Sequence, residues 1–253
     1  MQITFLGTGT SQGIPLIGCQ CVVCKSDDSR NKRTRTSVMV EIGGKVIVVD
    51  AGPDFRQQLL REDVRSLDAI IQTHEHKDHL AGLDDVRAFN FLQKKAMPLY
   101  ATERVQEAIK REFAYIFEES DYPGIPKIDL HTITNTAFEI EGIPVLPIEV
   151  MHHKLPVLGF RFGNFTYITD ANYISPAEKE KIKGSEVLVL NALRKEKHIS
   201  HYTLAEALSL IEELKPKMAY LTHISHQLGL HSEVEKELPE NVRIAFDGMK
   251  IEI

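Results

Sequence analysis

The sequence has few cysteines, no long apolar segment and no excess of basic residues. No apolar run approaches the roughly 18 residues that a membrane-spanning helix requires, and no Lys or Arg precedes the apolar N-terminal residues as in a secretion signal. We therefore expect a cytoplasmic protein. The 30 Lys and Arg against 36 Asp and Glu give a net charge of −6, which argues against a broad nucleic-acid or membrane surface.

The sequence also contains no Pro/Gly/Ser-rich linker and no internal repeat. Its 253 residues are within the range that layered folds use as one domain, so we predict a single domain over residues 1–253. Short β-branched segments alternate with helical patterns, and turn residues join several of them, as at Gly43-Gly44, Gly163-Asn164 and Asp247-Gly248. These patterns favour an α+β fold of four layers, with helices outside two sheets (αββα).

Three predicted helices begin with a capping pair, in which a Ser or Thr side chain and a Glu three residues later satisfy free backbone amides. The pairs are Ser175 with Glu178, Thr203 with Glu206, and Ser232 with Glu235. An apolar stripe follows the second pair, which predicts an amphipathic helix there.

The most informative segment is residues 74–79, HEHKDH, between an apolar strand and a predicted helix. Because side chains alternate in extended backbone, His74 and His76 face one side of the chain. Asp78 and His79 follow on the turn into the helix. Four possible ligands within six residues favour a metal site over a polar loop, and imidazole with carboxylate suits borderline divalent metals.

The H-x-H-x-D-H pattern after a strand resembles the metallo-β-lactamase superfamily of dinuclear metallohydrolases, whose fold is the four-layer αββα sandwich. The resemblance implies three further ligands, each at the end of a predicted strand: His152, Asp170 and His223. His153 is adjacent to the first of these, so that choice stays open, and we favour His152.

Two divalent metal ions, Zn or Mn, are implied by the same resemblance. The implied ligands are His74, His76 and His152 for one ion and Asp78, His79 and His223 for the other, with Asp170 and a hydroxide bridging. Asp50, at a strand end before Ala51-Gly52, is open between two roles, an outer residue that orients a ligand His and a turn residue.

The N-terminal half carries a second cluster, Cys19-x-Cys21-x-x-Cys24, after residues 7–11, GTGTS. An odd number of clustered thiols suits a metal site better than a disulfide framework. Both segments are similar to the phosphoribosyl cyclic phosphate phosphodiesterase (PhnP-like) branch, as are residues 221–227 and 246–249, whereas residues 94–130 match no motif. The resemblance implies a structural zinc ion with His226 as its fourth ligand.

The implied activity is that of a metal-dependent phosphodiesterase that hydrolyses a small cyclic ribose phosphodiester through the bridging hydroxide. Its implied catalytic residues are Asp78 and His201, the latter to donate a proton to the leaving oxygen or to steady the phosphate. His198, like His131, His153 and His231, receives no role. The expected partner is a small phosphodiester; neither a membrane nor nucleic acid is expected, and a homodimer is left open.

Three alternatives stay open: a tRNA 3′-processing endonuclease, a thioester or lactone hydrolase of the same superfamily, and a non-catalytic zinc-binding module. Several cations are candidates for binding phosphate charge, although we favour a solvated surface role for all of them. They are Arg161, Arg194 and the cluster of Arg30, Lys32, Arg33 and Arg35.

Overall fold

The centre of the fold consists of two β-sheets packed face to face. The computed structural model describes residues 1–119 and 122–253. Its strands are β1 (Gln2–Gly7), β2 (Ser37–Ile42), β3 (Lys45–Val49), β4 (Ala69–Ile71), β5 (Met97–Ala101), β6 (Ile128–Thr132), β7 (Phe138–Ile140), β8 (Ile143–His152), β9 (Leu155–Phe162), β10 (Phe165–Tyr167), β11 (Tyr173–Ile174), β12 (Val187–Asn191), β13 (Met218–Thr222), β14 (Val242–Ile244) and β15 (Lys250–Glu252).

Short helices connect the strands. They are α1 (Val22–Lys25), α2 (Phe55–Arg61), α3 (Lys77–Leu80), α4 (Arg87–Gln93), α5 (Glu103–Glu112), α6 (Ala114–Phe117), α7 (Pro176–Ile182), α8 (Leu204–Leu214) and α9 (His231–Val234), with 3₁₀ turns at Ser29–Asn31, Leu83–Val86 and Glu235–Glu237. None of the helices in the described ranges is both long and apolar enough to span a bilayer.

The first sheet has the order β15-β1-β2-β3-β4-β5-β6, and the second has the order β11-β8-β9-β10-β12-β13-β14, with β7 attached to β8. The apolar core between them contains Phe5, Phe160 and Tyr167. Helices α2 and α5 cover the outer face of the first sheet, while α7 and α8 cover that of the second. The predicted four-layer αββα architecture is confirmed.

Two of the three predicted hairpins are confirmed: β2 pairs with β3 across Gly43-Gly44, and β9 pairs with β10 across Gly163-Asn164. The third, at Asp247-Gly248, is wrong. There β14 lies parallel to β13 in the second sheet, and β15 lies antiparallel to β1 in the first. The buried side chains of β14 pack in the core of the second sheet, so the chain must change sheets after it.

Asp247 lies in this crossing segment and binds the N-terminal region. Its carboxylate accepts hydrogen bonds from the hydroxyl of Thr8 at 2.8 Å, the amide of Thr34 at 2.7 Å and the hydroxyl of Thr34 at 2.6 Å. The turn residue predicted from the sequence is therefore a largely buried anchor between the C-terminal segment and two N-terminal loops.

The capping predictions succeed at two helices of three. The Thr203 pair forms a complete capping box at α8, and the Ser175 hydroxyl accepts from the amide of Glu178 at α7. The third prediction is wrong, because α9 begins at His231 rather than after Ser232. The side chain of Asn31 accepts from the His231 amide at 2.9 Å, so a tertiary contact satisfies this helix end in place of a local cap.

Candidate active site

Strand ends of both sheets bring the candidate ligands together. Asp50 follows β3, Asp170 follows β10 and His223 follows β13, and all three have a left-handed backbone, with φ of 66°, 55° and 55°. This conformation costs a residue other than glycine about 1–2 kcal/mol, so the surrounding structure must hold these positions. Such strain at three converging strand ends marks them as candidates for function.

Asp170 is at the centre of one group of donors. Its carboxylate oxygens lie 3.0 Å from His79 Nε2 and 3.2 Å from His223 Nε2. The carboxylate of Asp78 lies 3.4 Å from the same nitrogen of His79 and 3.9 Å from that of His223. Two carboxylates and two imidazoles therefore face one another over distances that a metal ion could bridge.

The remaining candidate imidazoles, those of His74, His76 and His152, lie close to one another. His74 Nε2 is 3.0 Å from His76 Nδ1, and the ring centre of His152 lies 5.1 Å from that of His76 and 5.8 Å from that of His74. His153, the alternative to His152, is exposed in the turn after β8, where its amide donates to Asn172 at 2.7 Å. The structure therefore brings His152, and not His153, to the cluster.

Buried nitrogens in this cluster lack hydrogen-bond partners. These atoms are His79 Nε2, His201 Nδ1 and both ring nitrogens of His223. Buried polar atoms almost always have a partner, so four orphaned nitrogens beside carboxylates call for an explanation. The sets His74, His79 and Asp170, and Asp78, His79 and His223, each have ligand atoms within 4.8 Å of one another. The residues present therefore fit divalent metal ions.

The electrostatics of the cluster indicate the same need for cations. Burial opposes charge on His79, yet the carboxylates of Asp50, Asp170 and Asp78 raise its pKa well above the ordinary value. Burial also opposes charge on Asp170, but His223 and His79 hold its pKa well below the usual range. Burial lowers the pKa of His74, which favours the neutral form that coordinates metal.

Outer residues hold two of the imidazoles. Asp50 accepts from His79 Nδ1 at 2.6 Å and is itself fixed by the amide of Thr73 at 2.9 Å. The carbonyl of Ser200 lies 2.9 Å from His152 Nδ1. Such contacts set the tautomer and orientation of ligand histidines, so Asp50 has the orienting role that the sequence left open. Thr73 and Ser200 carried no signal in the sequence.

His201 is beside the cluster. Its Nδ1 lies 3.6 Å from Asp170, and its ring centre is 4.6 Å from that of His152 and 4.7 Å from that of His223. Burial, together with His223, lowers the pKa of His201 to about 2. Burial thus disfavours the charged ring, which lies beside the candidate ligands His152 and His223.

Glycine at position 52 permits α3 to approach the strand end at Asp50. A Cβ atom there would lie 2.1 Å from the carbonyl oxygen of Asp78, and one at Gly82 would lie 2.1 Å from the carbonyl oxygen of Gly52. A shift of either backbone would move the site, since Asp78 is a candidate ligand and Gly52 is two residues from Asp50, which bonds His79. The Asp50-Ala51-Gly52 segment is therefore shaped by the packing of α3.

The thiol cluster forms a separate centre. The sulfur atoms of Cys19, Cys21 and Cys24 lie 3.5, 3.3 and 3.7 Å from His226 Nδ1. Zinc–sulfur and zinc–nitrogen bonds of ordinary length at tetrahedral angles would place such atoms about 3.6 Å apart. The amide of Cys24 and the imidazole of His226 lower the pKa of Cys21 to about 6, whereas burial raises the pKa of Cys24 to about 11. The donors fit a zinc ion.

The cations considered for phosphate binding are used within the chain. Arg30 pairs with Asp28, Arg35 pairs with Asp54, and the Lys32 amine donates to a carbonyl at 3.1 Å. Arg33 is buried and donates to the Thr8 hydroxyl at 2.7 Å. Arg161 and Arg194 likewise donate to backbone carbonyls. The basic cluster therefore ties loops together rather than forming an open phosphate surface.

Helix α5, within the unmatched segment 94–130, packs against the loop of residues 74–79. Residues 120 and 121 of that segment lie outside the described ranges. Arg104 at the start of α5 lies 3.2 Å from Glu75, and Glu112 at its end pairs with Lys77. Glu75 and Lys77 alternate with candidate ligands along the loop. The residues that face away from the cluster thus attach α5 to it.

Comparisons with known proteins agree with this geometry. A family model described as the beta-lactamase superfamily domain matches residues 45–224. An octanoyltransferase from Porphyromonas gingivalis is 38% identical over 99% of this chain, but the chain spans only 51% of that protein's length. A ribonuclease Z from Mycobacterium marinum is 26% identical over 78% of this chain and 72% of the ribonuclease Z chain. The crystal structure of a diphosphatase from the PhnP family superimposes with a TM-score of 0.93 and 41% identity, over 100% of this chain and 97% of that chain.

Proposed function

The chain belongs to the metallo-β-lactamase superfamily, and on that premise we propose that it is a metal-dependent hydrolase that cleaves the phosphodiester bond of a small molecule. A cyclic ribose phosphate is the substrate class that we propose first. The observation that carries the proposal is the convergence of His and Asp donors on Asp170, in a chain 41% identical to a PhnP-family enzyme over its whole length. Residues 1–253 would act as a single domain.

We propose that seven residues hold two divalent ions, Zn or Mn, at the His/Asp cluster. When bound, these ions would lower the pKa of a water molecule and draw charge from the phosphate oxygens. The proposed ligands are His74, His76 and His152 for one ion and Asp78, His79 and His223 for the other, with Asp170 shared between them. Of these, Asp78, His79 and His223 form one compact donor set in the structure, while His74 and His152 are each grouped with Asp170. The number and identity of the ions belong to this proposal.

The chain's own residues would set the geometry of the reaction. Asp50 orients His79 through its Nδ1, and the Ser200 carbonyl orients His152 in the same way. Both contacts leave Nε2 of the ring free for coordination. His201, next to Asp170, is the proposed hydrogen-bond donor that steadies the phosphate or the leaving oxygen, while the carboxylate of Asp78 contributes negative charge that favours a cation beside it.

A structural zinc ion at Cys19, Cys21, Cys24 and His226 completes the proposal. His226 is three residues beyond His223, and both follow β13. Four donors would close the coordination sphere, which leaves no position for a substrate. We therefore assign this centre a role in holding loops rather than in chemistry.

Diphosphate hydrolysis is the second candidate, because the PhnP-family structure that covers the whole chain is described as a diphosphatase. A cyclic phosphodiester and a diphosphate both present a phosphorus atom with anionic oxygens, so the same residues would serve either bond. Cleavage of RNA, as in ribonuclease Z, is less favoured, since the basic cluster is bonded internally and the net charge is −6. The matched octanoyltransferase is named for acyl transfer, but this chain spans only about half of that protein's length.

A panel of substrates tests the proposal. Purified protein loaded with Mn²⁺ or Zn²⁺ would be assayed with a 2′,3′-cyclic nucleotide, bis(p-nitrophenyl) phosphate, a dinucleoside diphosphate and an octanoyl thioester. We expect the phosphodiesters to be cleaved fastest. Turnover of the diphosphate alone would select the second candidate, and turnover of the thioester alone would reject phosphoester chemistry. The cytoplasmic location and the homodimer stay predictions.

A further inference from the structure

We propose that His198 binds the substrate, by donating a hydrogen bond from its Nε2–H group to an anionic oxygen at the entrance of the His/Asp cluster. The inference rests on the proposed function, since it takes a phosphate oxygen as the acceptor. His198 lies outside the H-x-H-x-D-H pattern and is none of the seven proposed ligands.

The tautomer of His198 is fixed by its own loop. The amide of Ser200 donates to His198 Nδ1 at 3.3 Å, and the Ser200 hydroxyl lies 3.3 Å from the same nitrogen. A backbone N–H can only donate, so Nδ1 must be the acceptor and a neutral ring must carry its hydrogen on Nε2. No hydrogen bond from Nε2 is found within the described residues. The ring thus presents an unused donor.

The position of His198 places this donor next to the His/Asp cluster. Its ring centre lies 5.1 Å from that of His201, which in turn contacts His152 and His223. His201 is only 8% exposed, whereas His198 is partly exposed, so His198 lies between the buried cluster and the solvent. An anionic group bound beside His201 on the solvent side would therefore lie within reach of the His198 ring.

Ser200 couples the donor to the cluster. Its amide orients His198, and its carbonyl, on the same residue, lies 2.9 Å from His152 Nδ1. One residue therefore fixes the tautomer of a proposed ligand and of the proposed substrate donor. This arrangement holds the Nε2–H group of His198 at a constant place relative to the metal ligands, as a binding residue requires.

Two substitutions separate hydrogen bonding from packing. His198→Phe keeps an aromatic ring against His201 but removes the donor, while His198→Gln keeps an N–H donor near the position of Nε2 and removes the ring. We expect His198→Phe to raise KM for the best substrate of the panel about tenfold with little change in kcat, the loss typical of one hydrogen bond to a charged oxygen. His198→Gln should remain within about threefold of the wild type.

Binding of inorganic phosphate to the metal-loaded protein, measured by calorimetry, gives a readout that does not depend on turnover. The dissociation constant should rise about tenfold in His198→Phe and stay near the wild-type value in His198→Gln. His131→Phe on β6, which keeps an aromatic ring beside Tyr100, is the control and should leave the dissociation constant unchanged. Metal content should be equal in all variants.

The inference is overturned if His198→Phe binds phosphate as the wild type does, or if His198→Gln is as defective as His198→Phe, which would assign the ring to packing. If no phosphoester is cleaved while phosphate binding still follows the expected order, the proposed function fails and the binding role of His198 stands.

Discussion

The two candidate metal centres differ in how their donors are assembled. The thiol cluster takes three donors from residues 19–24 and a fourth from His226, and every sulfur lies within 3.7 Å of one imidazole nitrogen. The His/Asp cluster takes donors from positions 74 to 223, and several of its buried nitrogens have no partner. The thiol cluster is thus a complete set of four donors, whereas the His/Asp cluster has unused donors at its edge.

This difference distinguishes a structural metal site from a catalytic one. Structural zinc sites are closed by four protein ligands, while catalytic sites keep a position for water or substrate. His201 and His198 extend the His/Asp cluster toward the solvent, whereas the thiol cluster packs against its own small apolar group that includes Ile14 and Val23. We therefore expect the two centres to respond independently to substitution.

The largest effect is expected at Asp170. Asp170→Asn keeps a side chain that tolerates the left-handed backbone but removes the charge between His79 and His223. Activity should fall more than about 100-fold, beyond the range seen for outer residues, with loss of metal from the His/Asp cluster. Mass spectrometry of bound metals should still find one zinc per chain. Loss of all metal would show that the two centres are not independent.

An intermediate effect is expected at Asp50. Asp50→Asn weakens the acceptor that orients His79 Nδ1, so metal affinity or activity should fall about 10- to 100-fold. Metal titration with a competing chelator measures the affinity. Asp68→Asn, which removes a comparable carboxylate bonded to the amide of Val46 far from the cluster, is the control. Equal affinity in Asp50→Asn and the wild type would assign Asp50 to backbone structure alone.

The smallest effect on activity is expected at the thiol cluster. Cys21→Ser should remove one zinc ion per chain and lower the melting temperature by roughly 5–10 °C, the shift that about 2–3 kcal/mol produces in a chain of this size. Activity at low temperature should remain within about threefold, because the His/Asp donors are held by their own strand ends. A loss as large as that of Asp170→Asn would contradict the separation of the two centres.

Local patterns in the sequence predicted what depends on local physics. The hairpins at Gly43-Gly44 and Gly163-Asn164 and the capping box at Thr203 follow from residues adjacent in the chain. The failures lie where distant contacts decide, as at α9, whose first amide is satisfied by Asn31 two hundred residues away. The C-terminal hairpin failed for the same reason, since burial beside β13 outweighed the turn signal.

The candidate site shows the same division. The HEHKDH run and the cysteine spacing were visible in short windows of sequence, whereas His152, Asp170 and His223 were singled out only through the resemblance. Their places as ligands stay predictions, although the structure brings their side chains to one cluster. Ser200 and Thr73 act through a carbonyl and a backbone amide, and no side-chain pattern could reveal such contacts. The sequence assigns no role to His198, because the contact that sets its tautomer comes from the backbone amide of Ser200.

The strand β15 and the anchor Asp247 set a condition on the order of folding. The sheet that begins with β1 stays one strand short until residues 250–252 have been synthesised, and the Thr8 and Thr34 loops lack their buried acceptor until Asp247 is present. Contacts of such long sequence separation slow folding. Both N-terminal loops would therefore lock in place only after residues 247–252 have been synthesised and have left the ribosome.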